Sequence, residues 1–342
     1  MVSVRVPSVA DTLKRDNEPR QLFRNHACAR QVLHQPTTMH TILGANGTIG
    51  HQVSLALPHT TRIRQVGRHP ERENATDQLF KADLLDAKAT EQAVAGSEVV
   101  YLLAGLKYNA KVWQEQWPRV MRNTIDACKR HQSKLIFFDN VYPYGKVQGT
   151  MTETTPFNPC SKKGEVRATI ATMLLDEMKR GELTAMIVRS ADFYGPGATL
   201  SITHSTVTER LRAKKTPQWL GDPKAVHTFT YTPDAARTMV QLATTPSAYG
   251  QTWHALTSKV PMTGEQYVRI ACELAGQPYG IQRLGKTGVQ VLGLFMPVLR
   301  EVVEMMYQSE SDYRFDSSKV EQALGIEATG YSEGIAAALA AK

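Results

Sequence analysis

Met39-His-Thr-Ile-Leu-Gly-Ala-Asn-Gly-Thr-Ile-Gly50 decides the fold. A short apolar strand, 41–43, runs straight into a glycine-rich turn, and a helical stretch, 49–57, follows. Gly44, Gly47 and Gly50 form GxxGxxG. The first glycine permits a tight turn, the second lets backbone approach a pyrophosphate, and the third lets the helix pack closely on the sheet. A diphosphate would then sit at the helix N-terminus, where free amides and the helix dipole favour negative charge. Asn46, Thr48 and Ile49 lie in the same turn and complete the candidate phosphate-binding set. An ordinary structural turn is the plainer alternative.

Strands and helices alternate beyond this point. Candidate strands are 41–43, 63–66, 79–82, 99–103, 135–138 and 185–188, and candidate helices are 49–57, 87–95, 113–130, 165–179 and 233–243. Apolar strands separated by helices predict a parallel sheet covered on both faces. The expected class is α/β, a Rossmann-type doubly wound parallel sheet with a smaller C-terminal substrate-binding region. The expected organisation is an extension at 1–38, a dinucleotide-binding core at 39–196 and a mainly substrate-binding region at 197–342. Segments near 225–255 should return to the core. From 197 the pattern loosens into Pro- and Gly-punctuated pieces, closed by a helical run at 331–340. The extension, which precedes Met39 at the start of the first strand, is expected to be poorly ordered and to contribute little to the fold.

The adenosine end carries its own signal. A site selecting NAD usually ends its second strand in Asp or Glu, about 20 residues on, to bind the ribose diol. Here the strand ends Val66-Gly67-Arg68-His69, with no acid in 63–69. A guanidinium suits a 2′-phosphate, so NADP(H) is expected over NAD(H), with Arg68 as its contact. A solvated strand-end Arg is the plainer reading. Asp83, after the third strand, is expected to accept from the adenine amino group or to cap the next turn.

Composition narrows the rest. The 342 residues are 42% hydrophobic and 21% charged, enough for a sizeable core, and carry a formal +8. No dense basic tract points to nucleic acid. No apolar run reaches the ~18 residues of a membrane span. The greasiest stretch, VQVLGLFMPV at 289–298, reads as a buried or partly buried helix or a subunit contact. Cys28, Cys128, Cys160 and Cys272 lie far apart without a CxxC pair, which favours a reducing, cytoplasmic setting over a disulfide scaffold. His204, His227 and His254 are too scattered to predict a metal site.

Further motifs bring in a family. Gly44–Gly50, Asp83, Ala104-Gly105 after the fourth strand and Asn123 in its following helix are followed by Tyr144-Gly145. Then come Arg189…Tyr194-Gly195-Pro196-Gly197, Tyr231-Thr-Pro-Asp234 and Phe315-Asp-Ser-Ser-Lys319…Leu324-Gly325. Over about 39–340 the chain resembles the extended short-chain dehydrogenase/reductase family, which contains nucleotide-sugar epimerases and dehydratases. The resemblance implies cofactor contacts at Ala104 and Gly105, a small-molecule substrate and hydride exchange with a secondary alcohol or ketone. It also implies a homodimer through the helices at 113–130 and 165–179.

The catalytic set departs from the family pattern. That pattern places Ser or Thr after strand five and Tyr-x-x-x-Lys at the next long helix, with Tyr moving the substrate proton and Lys holding the nicotinamide ribose. Here counting back from Tyr144-Gly145 puts Asn140 at the Ser/Thr position. The helix start, Asn158-Pro-Cys-Ser-Lys-Lys-Gly-Glu-Val-Arg167, yields no Tyr-x-x-x-Lys in either register. The candidate catalytic set is therefore Asn140 for the substrate oxygen, Tyr142 for the proton and Lys163 for the ribose. Cys160, a thiol near a helix N-terminus and two lysines, is a second candidate acid. A loop aromatic at Tyr142 and a packing thiol at Cys160 are the plainer readings. Lys107, Tyr108 and Asn109 are candidate substrate contacts or an ordinary loop, and Trp113 and Trp117 make one helix face. The alternative to an oxidoreductase or epimerase-like enzyme is a non-catalytic NADP(H)-binding regulator or scaffold.

Overall fold

A computed structural model describes residues 38–341. The extension 1–38 lies outside the described residues except for Thr38, as does Cys28. Seven strands form one parallel sheet: β1 (Met39–Leu43), β2 (Arg62–Gly67), β3 (Gln78–Lys81), β4 (Val99–Leu102), β5 (Lys134–Asn140), β6 (Ala185–Ser190) and β7 (Thr252–His254). Their order is β3-β2-β1-β4-β5-β6-β7, so the chain reverses direction across the sheet between β1 and β4. Six of the seven correspond to apolar runs in the sequence. The seventh is three residues long and partly polar, and no run announces it.

Successive strand residues point to opposite faces, and both faces are covered. Leu43, Leu102, Phe137 and Ile187 bury on one side, beneath α2 (Ala87–Val94), α3 (Ala110–His131) and α4 (Lys162–Lys179). Ile42, Tyr101, Ile136 and Met186 bury on the other, beneath α1 (Thr48–Ala56) and α5 (Thr232–Ala243), which pack on each other. Each such side chain contributes roughly 1.5–3 kcal/mol of apolar transfer. This two-sided burial is why the strands read as continuous apolar runs. The architecture is the Rossmann-like doubly wound α/β fold.

Local signals set the helix starts. Asp86 accepts from the N–H groups of Lys88 and Ala89, Asn109 from Val112, and Ser161 from Gly164, each closing a first turn. Pro233, in the first turn of α5, needs no donor there. Trp113 and Trp117 are buried on one face of α3, edge to face at 6.3 Å, with the Arg167 guanidinium 4.6 Å from the Trp117 ring.

Past β6 a smaller cluster forms around Tyr194, Trp219, Phe229, Tyr267 and Tyr331. It includes α6 (Gly264–Leu274). The stretch at 289–298, expected as one buried or partly buried helix or a subunit contact, is not a single helix. It divides into α7 (Lys286–Gly293) and α8 (Pro297–Val303). A proline disfavours helical backbone in the residue before it, and Met296 is extended at φ −121° and ψ 99°. Val289 buries against Leu220 and Met306, while Leu294 and Phe295 are 67% and 81% exposed. The last helix, α9 (Tyr331–Ala340), closes the smaller cluster.

Candidate active site

The glycine turn joins β1 to α1 at the C-terminal edge of the sheet, beside the point where strand order reverses. Gly44 has φ +96°, and a Cβ there would lie 2.5 Å from the Ala104 Cα. Gly50 packs so closely that a Cβ would lie 2.4 Å from the Ala45 carbonyl oxygen. Gly47 caps α1 without a side-chain acceptor, and the first-turn N–H groups of Thr48, Ile49 and Gly50 have no intrahelical partner. The Thr48 hydroxyl donates to the Gly197 carbonyl at 3.1 Å, tying the turn to the Gly195-Pro-Gly loop. A shallow, amide-rich cradle with no side chain in its floor is what a diphosphate requires, so the residues present fit a dinucleotide. Ala104 and Gly105 follow β4 directly, and Ala104 forms the wall behind Gly44.

Arg68 follows β2 on the surface, and its guanidinium makes no hydrogen bond or ion pair among the described residues. The loop after it is fixed from below, because the buried Asp77 carboxylate accepts from Gln65 Nε2 at 2.8 Å and from the backbone of Glu73 and Asn74. Asn46 Oδ1 accepts from the Glu71 N–H, joining this loop to the glycine turn. Asp83 Oδ1 accepts from the Leu85 N–H at 3.0 Å, a local turn contact that leaves its other oxygen free among the described residues.

β5 delivers Asn140 and Tyr142. Asn140 Oδ1 accepts from the Tyr142 N–H at 3.0 Å, and the amide Nδ2, a donor, has no partner among the described residues. The Tyr142 ring stacks on Trp113, centroids 6.3 Å apart, and its phenol faces that of Tyr108. Burial first, then the neighbouring Tyr108, raises the Tyr142 pKa well above the usual phenol value. Tyr144 is built into the interior instead: its hydroxyl lies 3.0 Å from both Arg189 Nη1 and His254 Nε2. Cys160 is exposed, one residue before the cap of α4.

Lys163 is fully buried. Its Nζ donates to Glu301 Oε2 and Glu304 Oε1, each at 2.6 Å, and to the Glu301 carbonyl at 3.0 Å. Glu301 also accepts from Asn109 Nδ2 and the Ala110 N–H. Burial opposes ionisation of Glu301, but Lys163 and these donors hold its pKa below the usual range. The lysine and the start of α3 thus clamp α8 over the site. Reaching a ribose would require Lys163 to leave both carboxylates.

Beside Tyr142 lies a constellation with little sequence signal. Asp192 follows β6 as Tyr142 follows β5, and β5 and β6 pair with Asn140 opposite Ser190. Both residues line one small cavity with Tyr108, Leu220, Met305 and Met306. His227 Nε2 lies 3.0 Å from Asp192 Oδ2, and its ring stacks on Tyr313 at 4.4 Å. The one clue was position: Asp192 stands three residues after Arg189, at the sheet edge where ligands bind. Arg189 itself is interior, paired with Asp139.

The sequence profile of the NAD-dependent epimerase/dehydratase family matches residues 40–254. The chain belongs to that family. Membership gives it an NAD-dependent, epimerase/dehydratase-like function and leaves the substrate open. Solved structures agree on the fold. A UDP-glucuronic acid 4-epimerase from Bacillus cereus in complex with NAD is 19% identical, with 88% of this chain and 97% of that one covered and a TM-score of 0.72. A UDP-glucose 4-epimerase from Thermus thermophilus in complex with NAD is 17% identical, with coverages of 88% and 98% and a TM-score of 0.70. A double mutant of the dTDP-glucose 4,6-dehydratase DesIV from Streptomyces venezuelae is 15% identical, with coverages of 88% and 95% and a TM-score of 0.72. No curated protein sequence matches significantly. Among the described residues, no helix of this family member is long and apolar enough to cross a membrane.

Proposed function

We propose that the chain is a nicotinamide-dinucleotide enzyme that interconverts a secondary alcohol and a ketone on a small molecule, working in the cytoplasm as a homodimer through α3 and α4. The glycine cradle between β1 and α1 carries this reading, because the close approaches at Gly44 and Gly50 leave no room for side chains there and expose backbone amides. The bound nicotinamide would supply the hydride chemistry. The chain's own part is polar: Asn140 Nδ2 holds the substrate oxygen, Tyr142 moves its proton, and Lys163 orients the ribose once Glu301 and Glu304 release it. Asp83 takes the adenine amino group with its free oxygen.

In this reading the dinucleotide is NADP(H). Arg68, exposed and without a partner among the described residues, supports that choice, since its planar fork matches a 2′-phosphate and no carboxylate ends β2. Titration of wild type and Arg68→Ala with NADPH and NADH tests it. The substitution should weaken NADPH by about ten- to a hundredfold, the equivalent of a charge-assisted contact of ~1.5–3 kcal/mol, and leave NADH almost unchanged. Equal losses for both would refute it. Consumption of reduced cofactor against a carbonyl panel tests the chemistry.

Two observations favour a second reading, a dinucleotide-binding regulator without turnover. Lys163 is neutralised by two carboxylates, and Tyr142 is a weaker acid than a free phenol. Turnover of any carbonyl would eliminate that reading.

A further inference from the structure

The turn between α7 and α8 is bare on its outside and held from its inside. Val291, Leu292, Leu294, Phe295 and Met296 crowd into 291–296 and are 40–81% exposed. Behind them Val289 packs on Leu220 and Met306, with Leu299, Val302 and Val303 against the same cluster. Arg300 Nε donates to the Gly293 carbonyl and Nη2 to the Leu294 carbonyl, which ties the start of α8 back across the turn. Large apolar side chains exposed together in this way mark a surface that meets another molecule or a membrane. Charge distinguishes the two. From Leu274 to Arg300 the chain has no Asp or Glu, while Arg283, Lys286 and Arg300 are all exposed. The carboxylates that follow, Glu301 and Glu304, are both engaged by Lys163. The loop that Arg283 contacts through the Gly221 carbonyl holds Asp222 and Lys224 and is neutral overall.

We propose that this turn is an interfacial anchor that docks the protein on an anionic bilayer. Leu294, Phe295 and Met296 enter the boundary between headgroups and acyl chains, and Arg283, Lys286 and Arg300 meet the headgroups. A lipid surface of this kind matches both halves of the turn, because it takes apolar side chains below its headgroups and cations at them. A second copy of the chain matches neither. It would bring the same three cations and no acid to the contact, where like charges repel. Five apolar side chains also fall well short of the roughly 20–30 residues a side of a stable protein interface. Residues 1–38, with six basic residues against three acidic, carry the same sign of charge. The docking is peripheral and independent of the alcohol–ketone reading. Because α8 carries Glu301, which binds Lys163, it would also set the candidate site beside the bilayer.

Vesicle flotation tests the proposal, with phosphatidylcholine alone and phosphatidylcholine mixed with phosphatidylserine as probes. Wild type should bind the mixed vesicles more tightly than the neutral ones, and added salt should weaken that binding. Phe295→Ser should weaken it about tenfold or more, the loss of one buried aromatic side chain. Lys286→Ala should weaken it about fivefold, the loss of one cation near the surface. Both side chains are exposed, so urea midpoints should match wild type. Phe295→Trp reads the turn directly. The four native tryptophans are buried, so a shift of its emission to shorter wavelength with mixed vesicles reports the turn itself. Failure of wild type to bind the mixed vesicles would overturn the proposal. So would binding that Phe295→Ser leaves intact, which would make the attraction a general effect of the +8 net charge. Wild type that ignores vesicles but self-associates in sedimentation, with Phe295→Ser losing that association, would assign the turn to a second copy instead.

Discussion

Asp139→Asn is the substitution that most directly tests how the candidate site is supported. Asp139 is buried at the end of β5, with Oδ1 accepting from Arg167 Nε at 2.7 Å and from the Asn140 N–H at 2.8 Å. Its Oδ2 accepts from Arg189 Nε at 3.1 Å. Arg167 and Arg189 are both buried, and Arg189 Nη2 already lacks a partner among the described residues. One carboxylate therefore serves two guanidiniums. Removing its charge leaves two interior cations uncompensated, and breaking a buried pair of this kind costs about 3–5 kcal/mol. At about 3 kcal/mol per molar, the urea midpoint should fall by about 1–2 M. Arg189→Met in the Asp139→Asn background removes one orphaned cation and should recover part of the loss, so the double variant should be less destabilised than the sum of the singles. Equilibrium unfolding in urea, followed by tryptophan fluorescence, measures all four proteins. A midpoint shift under about 0.3 M, or strict additivity, would refute the idea that Asp139 neutralises the pair.

Gly44→Ala should abolish dinucleotide binding and lower stability, since its Cβ would lie 2.5 Å from Ala104 Cα at a φ of +96°; dinucleotide titration and thermal melts check both. Burial opposes ionisation of Glu177, but Arg122, Lys129 and Arg180 hold its pKa at about 2, against an ordinary 4.5. Its contribution is complete above pH 4.5 and lost as pH falls toward 2, so Glu177→Gln should flatten the acid limb of a melting-temperature profile. Burial, then the nearby Arg189 and Lys319, lowers the His254 pKa to about 3, opposed by its hydrogen bond to the Asp316 carbonyl. The unfolded chain takes up a proton near pH 6.5 that the folded chain refuses, so stability should decline from 6.5 toward 3, and less steeply in His254→Gln. Glu301→Ala, which loosens the clamp on α8, should speed amide exchange in 286–309 relative to wild type by about tenfold, read by mass spectrometry.

The layered sheet was legible in the sequence because its signals are local. A strand buried on both faces must be an apolar run, as 99–102 and 135–138 are, and a helix must begin where Asp86, Asn109 or Ser161 can cap it. The glycine turn was legible for the same reason: its geometry is written within one short stretch, 44–50. The surroundings of Tyr142 were not, because they are assembled from the ends of β5 and β6, the loop after β4 and the α8 region. Nothing near Lys163 in sequence announces Glu301 or Glu304, which lie 138 and 141 positions away. Nothing in Asp192-Phe-Tyr announces His227. The doubly wound sheet, the glycine turn at Gly44, Gly47 and Gly50, and the lack of a Tyr-x-x-x-Lys could all be read from local residue order. That Lys163 is bound by two carboxylates, that Tyr144 is interior and that Asp192 lines the cavity emerges from the folded chain alone. Side-chain charge is compensated through space, between residues whose separation along the chain carries no periodic or local signal.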